Sequence, residues 1–131
     1  MATEYPGLSR SYAANADLSA KQFFCMKLGT TAGQIAICAA TSDFMLGILQ
    51  NKPAAAGRAA EVMTLGWSKA DVAAATDIAI NDLLGTDANG RLVKRTPSNN
   101  DIVNAIAEEA ATAATGDIIR VYVFPPRWYG A

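Results

Sequence analysis

One pattern occurs twice in this chain, and it limits what the chain can fold into. Asp43-Phe44-Met45-Leu46-Gly47-Ile48-Leu49 leads through a proline- and alanine-rich connector to Gly57, then into Ala60-Glu61-Val62-Met63-Thr64-Leu65-Gly66. Asp101-Ile102-Val103-Asn104-Ala105-Ile106-Ala107 leads through an alanine-rich connector to Gly116, then into Ile118-Ile119-Arg120-Val121-Tyr122-Val123-Phe124. Each copy is an apolar run, a connector of small residues, a glycine and a second apolar run. Two adjacent strands joined by a loop read this way in sequence. Neither copy contains anything like a catalytic set, so the expectation is a compact β-rich body whose function lies on its surfaces.

The rest of the chain fits that body. Gln22 to Leu28 reads as a strand, Gly29 to Gly33 as a turn, and Gln34 to Cys38 as the returning strand. Trp67 to Val72 is a short, mixed strand. Asp82 to Gly85 and Arg91 to Arg95 flank Asp87-Ala88-Asn89-Gly90, where Asn-Gly marks a hairpin because both residues tolerate positive φ. Residues 98–115 admit two readings. One is a single helix over 100–115, with Ser98 and Asp101 in capping-box spacing and Gly116 as C-cap. The other, favoured by β-branched Ile102-Val103 and by the match to the first copy, is a strand over 102–107 and a helical turn over 108–114. Ile118 to Phe124 is the clearest strand, and Pro125-Pro126 is expected to end it. The predicted fold is mainly β: a single small β-barrel or β-sandwich domain with an extended N-terminal arm (1–20), a β domain (21–124) and an aromatic C-terminal tail (125–131).

Composition narrows the function. At 131 residues the chain suits one domain with a proper core. Charged residues make up 18%, below the usual quarter, which leaves apolar surface for a partner and points to assembly. Net charge is −1 and the basic residues are scattered, so no nucleic-acid footprint is present. No apolar stretch is long enough for a membrane-spanning helix. Met1 to Gly7 is polar and lacks the order of a signal peptide, so cytoplasmic synthesis is expected.

Candidate sites are few. The chain has no histidine, so Ser9, Ser11 and Ser19 lack the usual base of a nucleophilic triad. Glu61 with Asp71, and Glu108 with Glu109, read as solvated carboxylates. Asp82, Asp87 and Asn89 near Gly90 lack the closing glutamate of a calcium loop and read as hairpin-turn residues. Cys25 and Cys38 sit in apolar runs and are expected to be buried, reduced thiols; alone they cannot complete a zinc site. The glycines form no phosphate-binding loop. No catalytic residue, metal or cofactor is therefore assigned, and the chain is not expected to be an enzyme. Interface candidates are Tyr5 and Tyr12 on the arm, Trp67 after Gly66, and Arg127, Trp128 and Tyr129 in the tail, because tryptophan, tyrosine and arginine dominate interface hot spots.

The order of segments resembles the small capsid cement, or decoration, proteins of tailed bacteriophages. The matching stretches are Phe23-Phe24-Cys25-Met26-Lys27-Leu28; Gly47 to Pro53 with Gly57; Ala60-Glu61-Val62 through Gly66; Asp82-Leu83-Leu84 into Gly90-Arg91-Leu92-Val93; and Gly116-Asp117-Ile118-Ile119-Arg120-Val121. They span roughly residues 20–124. Asn104-Ala105 stands where the second repeat often has glycine. The resemblance implies a non-enzymatic virion protein on the capsid surface, bound to the major capsid protein and to copies of itself, with a trimer favoured. A carbohydrate- or host-binding β module and a small hydrolase are the alternatives. The first needs clustered exposed aromatics beside polar side chains, and the second is disfavoured by the missing histidine.

Overall fold

The computed structural model describes residues 7–73, 77–96, 101–112 and 117–129. Among the described residues there are nine strands: β1 (Leu8–Ala14), β2 (Cys25–Leu28), β3 (Gln34–Ile37), β4 (Gly47–Leu49), β5 (Ala59–Val72), β6 (Leu83–Thr86), β7 (Leu92–Lys94), β8 (Asp101–Ala107) and β9 (Asp117–Tyr129). Both copies of the sequence pattern are antiparallel neighbours, β4 with β5 and β8 with β9. Trp67 to Val72 is not a separate strand; it continues β5. The continuation passes through Gly66, whose φ of +130° suits glycine.

The strands close two rings that share β5. In the first, β1 pairs with β3, β3 with β2, β2 with β4, β4 with β5, and β5 back with β1. The second runs β5, β7, β6, β8, β9 and back to β5. Each pairing in one ring has a counterpart of the same sense in the other. Cys25 faces Ile48 as Leu83 faces Ile106. Lys27 faces Ala36 as Gly85 faces Val93. Ala14 faces Ile35, in parallel, as Val72 faces Leu92. Tyr12 faces Ala60 as Ala70 faces Ile119. The repeated pattern in the sequence is thus the second half of a five-strand unit that the chain builds twice. Ring closure also leaves few unpaired strand edges.

Two cores result. Met26, Ile35, Leu49, Ala60 and Val62 fill the first ring. The corresponding Leu84, Leu92, Ala107, Ile119 and Val121 fill the second. That second core extends to Cys25, Cys38, Met45 and Ile48, on the outside of the first ring. Asn104 also joins the halves, its fully buried amide donating to the Met45 carbonyl at 3.1 Å.

Three further features differ from the sequence expectation. Residues 8–14 are extended but are not a free arm: β1 lies between β3 and β5. Its side chains lack periodicity because Leu8 to Ser11 are all exposed, while its backbone carries the pairing. Residues 108–112 make a bend and a bridge from Ala111 to Ile78, not a helical turn; residues 113 and 114 lie outside the described chain, as does Gly116. Finally, β9 continues through Pro125-Pro126. Val103 faces Arg127 and Ala105 faces Val123, so Phe124, Pro125 and Pro126 bulge opposite Asn104 alone. Proline is accepted in a bulge because no ladder N–H is needed there.

Candidate interaction surface

Alternation along β5 and β9 sets this surface. Ile119, Val121 and Val123 point into the core, so Ile118, Arg120, Tyr122 and Phe124 point out. On β5, Leu65, Trp67 and Lys69 point out. Trp67 faces Tyr122 across the strands, with ring centroids 5.0 Å apart. Tyr122 meets Phe124 at 6.2 Å, and the Arg127 guanidinium lies 5.8 Å from the Phe124 ring. The result is a row of three aromatics ending in a cation. Tilted aromatic contacts of this kind stabilise by about 0.5–1.5 kcal/mol beyond area burial.

Polar groups brace the row. The Trp67 indole N–H donates to Glu108 at 2.5 Å, while Arg120 pairs with Glu108 at 3.3 Å. The Arg120 backbone N–H donates to Glu109 at 2.7 Å. The Glu108-Glu109 pair read as a solvated turn is therefore the bracket that holds Trp67. Leu8, opposite Leu65, widens the apolar surface; the two are 56% and 39% exposed. Beside the row lies an open groove of about 530 Å³, lined by Leu65, Leu83, Val103, Ile106, Tyr122, Phe124, Pro125 and Arg127.

The interface candidates divide. Trp67 and Arg127 come together through Tyr122 and Phe124. Tyr12 is placed elsewhere, partly buried against the first-ring core with the Arg10 guanidinium 5.4 Å from its ring. Trp128 and Tyr129 belong to β9, their backbones opposite Ile102 and Asp101; their side chains, and all of Tyr5, lie outside the described structure. Tyr122, Phe124, Leu65 and Leu8 were missed as surface residues. The signal for the first two was available, since inward Ile119-Val121-Val123 leaves the aromatics of the same strand outside.

The other candidate sites have structural occupations. Asp87 accepts the N–H groups of Asn89 and Arg91, each at 2.8 Å, shaping the β6–β7 turn. Asp82 accepts from the Ala79 N–H at 2.8 Å and pairs with Lys94 at 3.3 Å. Among the described residues, no group of three or more acidic or cysteine side chains could hold a metal ion. Cys25 and Cys38 are buried and free. They lie across the β2–β3 hairpin from each other, the Cys38 N–H donating to the Cys25 carbonyl at 3.0 Å. Burial pushes Cys25 well above its ordinary thiol value, with the adjacent Cys38 adding to it. Burial likewise pushes Cys38 up to about 12, and a hydrogen bond with Thr86 offsets only part of either shift. Such thiols are not nucleophiles at neutral pH.

Comparison with known proteins agrees with the resemblance. Residues 7–123 match the phage cement protein family. Among solved structures, the chain is similar to the head fiber gp8.5 N base of bacteriophage phi29, with TM-score 0.57 and 20% identity over 88% of this chain and 92% of that one. At that identity the likeness is one of fold. No curated protein sequence matches the chain.

Proposed function

The chain belongs to the phage cement protein family, which makes it a structural, capsid-associated protein of the phage virion, and from this premise we propose that it sits on the outer surface of a tailed-phage head and clamps neighbouring major capsid subunits. The observation that carries the reading is the braced row Trp67–Tyr122–Phe124–Arg127 beside exposed Leu8 and Leu65. Rigid, partly exposed aromatics with one arginine are typical hot-spot chemistry. We assign Tyr5, Trp128 and Tyr129 to the same contact, because Gly7 packs on Leu65 and Gly66 and β9 runs on past Phe124 to Tyr129 along β8. Tyr12 keeps mainly a packing role.

The mechanism is additive burial. A standard interface buries about 1,600 Å², and a shell held by many such contacts must break them before it can open. Copies of the chain also contact one another on the head, with a trimer favoured. No reaction is part of this role, and synthesis is in the host cytoplasm.

The test uses heads that lack the protein, to which purified chain is added back. Bound copies per head are counted by mass spectrometry, and DNA release is followed on heating. Wild-type protein should bind and raise the release temperature, and Trp67→Ala should bind at least tenfold more weakly. Folded wild-type protein that fails to bind heads would refute the proposal. The aromatic cluster also favours a second reading, a carbohydrate-binding module. Saturable quenching of tryptophan fluorescence by an oligosaccharide, with no binding to heads, would select that one.

A further inference from the structure

The two rings are built alike, but they differ in what covers them. In the first, the outer face of β2 and β4 carries Cys25 opposite Ile48, both fully buried in the core shared with the second ring. The corresponding pair, Leu83 opposite Ile106, is only partly buried and lines the open groove. The first face is covered by the β6–β7 hairpin. There the Gly90 carbonyl accepts the Cys25 N–H at 2.7 Å, and Thr86 lies beside both thiols. Gly90 sits so close that a Cβ would fall 2.6 Å from Ile37. The corresponding hairpin of the first ring, β2–β3, stands open. Leu28, at the position of Thr86, is 60% exposed. Gly33, at the position of Gly90, has φ +82° as Gly90 has +81°, and nothing within 4 Å of where a Cβ would be. One chain thus carries an uncovered copy of the face and an uncovered copy of its cover.

We propose that these two surfaces meet between chains. The β2–β3 hairpin of one copy docks into the Leu83–Ile106 groove of the next, repeating head to tail the contact that joins the rings within a chain. The exchanged residues are in part complementary. Thr86 lies beside Cys25 and Cys38. At the corresponding places Leu28 would meet Leu83, with Ile106 opposite it, apolar against apolar, and Arg95, which stands in the place of Cys38 and donates to the Thr86 carbonyl of its own chain. At the rim Lys94 takes the place of Ile37 and is paired with Asp82 at 3.3 Å, which gives a polar edge around an apolar centre. The contact is heterologous, so it closes into a ring or runs on as a filament according to the rotation between copies.

The inference rests on the self-association in the reading above, and sedimentation velocity of the free, full chain tests it. Wild-type protein should associate, and Leu28→Asp and Ile106→Asp should each weaken association at least tenfold. A mixture of the two variants should form a dimer and nothing larger, because each such pair retains one intact hairpin and one intact groove. Leu28 is exposed, so its variant should melt as the wild type does; Leu83→Gln replaces Ile106→Asp if the latter does not fold. Variants that associate like the wild type, or a mixture that stays monomeric, overturn the docking and leave self-association standing. A wild type that is monomeric even at about 100 μM, where weak interfaces should fill, overturns both. Loss of association on deleting residues 1–6, with no effect of Leu28→Asp, would give the groove to the N-terminal segment and overturn the proposal. Binding to heads is measured separately, so the capsid reading stands or falls on its own result.

Discussion

Phe23 and Asn81 occupy one position in two copies of the same unit, 58 residues apart (81 minus 23). Both hold positive φ, 71° and 76°. Phe23 donates its N–H to the Leu49 carbonyl at 2.7 Å, and Asn81 donates to Ala107 at 2.8 Å. The agreement continues next door, where Phe24 donates to Lys21 and Asp82 to Ala79, each at 3.1 Å. A left-handed turn before the second strand of each ring is therefore part of the unit. Asparagine accepts that conformation more readily than most residues, and β-branched residues resist it. Asn81→Gly should leave stability within about 0.5 kcal/mol of wild type, while Asn81→Val should lose about 1–2 kcal/mol, both read by urea denaturation.

The strands and the two hairpin-like copies were legible because apolar alternation and glycine placement are local signals. Closure was not. The alternation of Ala60 to Gly66 and that of Trp67 to Val72 look like two strands, and Gly66 between them reads as a stop rather than as a bend inside one long strand. The exposed residues of β1 hid its backbone pairing in the same way. The surface was half legible: composition selected Trp67 and Arg127, but their meeting depends on Tyr122 and Phe124, which only the β5–β9 register brings into line.

Asn104 tests the seam between the rings. Its Nδ2 donates to the Met45 carbonyl while its Oδ1 has no partner among the described residues. The Asn104-Ala105 departure from glycine leaves the strand pairing in place, with the β9 bulge opposite Asn104 between the Val103 and Ala105 pairs. Asn104→Ala strands a buried carbonyl and should cost about 1–3 kcal/mol. Asn104→Asp should cost more, because it places a charge where nothing neutralises it. Thermal unfolding in which Asn104→Asp is as stable as Asn104→Ala would contradict this account.

Asp43 gives the fold a dependence on acid. Burial raises its pKa, but hydrogen bonds from Ala39, Lys27 and Ala40, with the Lys27 charge, outweigh it and hold the carboxyl below its ordinary 3.8. All three donors lie 2.8–2.9 Å from Oδ2. A carboxyl with a lower pKa folded than unfolded stabilises the fold fully above the unfolded value, and the contribution fades as pH falls through the folded value. Asp43→Asn should therefore cost about 1–3 kcal/mol at pH 7. The gap to wild type should stay level from pH 8 to 5 and narrow below about pH 4, as followed by denaturation at each pH.

The thiols should be silent until the protein opens. Cys25 and Cys38 are at most 1% exposed and both are shifted upward, so the thiolate, the reactive form, is scarce. Iodoacetamide at pH 8 should leave the native protein unmodified and label both cysteines in urea, as read by intact mass. Rapid labelling of the native protein at either site would place that cysteine at the surface.

Attachment to the head should depend little on salt. The chain carries 11 basic and 12 acidic residues, and the aromatic row contains a single cation, Arg127. At 0.5 M salt, screening shortens the reach of charge to a few ångströms, whereas burial of apolar area is not weakened. Raising sodium chloride from 0.05 to 0.5 M should therefore change the affinity for heads by less than about threefold, in contrast to the steep losses of charge-driven binding. Arg127→Ala removes the one screened element and should flatten the remaining dependence. Trp67→Ala should lower affinity equally at both salt concentrations, by more than about 2 kcal/mol. A tenfold loss of wild-type binding across that range would mean that charge, and not the Trp67–Tyr122–Phe124 row, holds the protein to the shell.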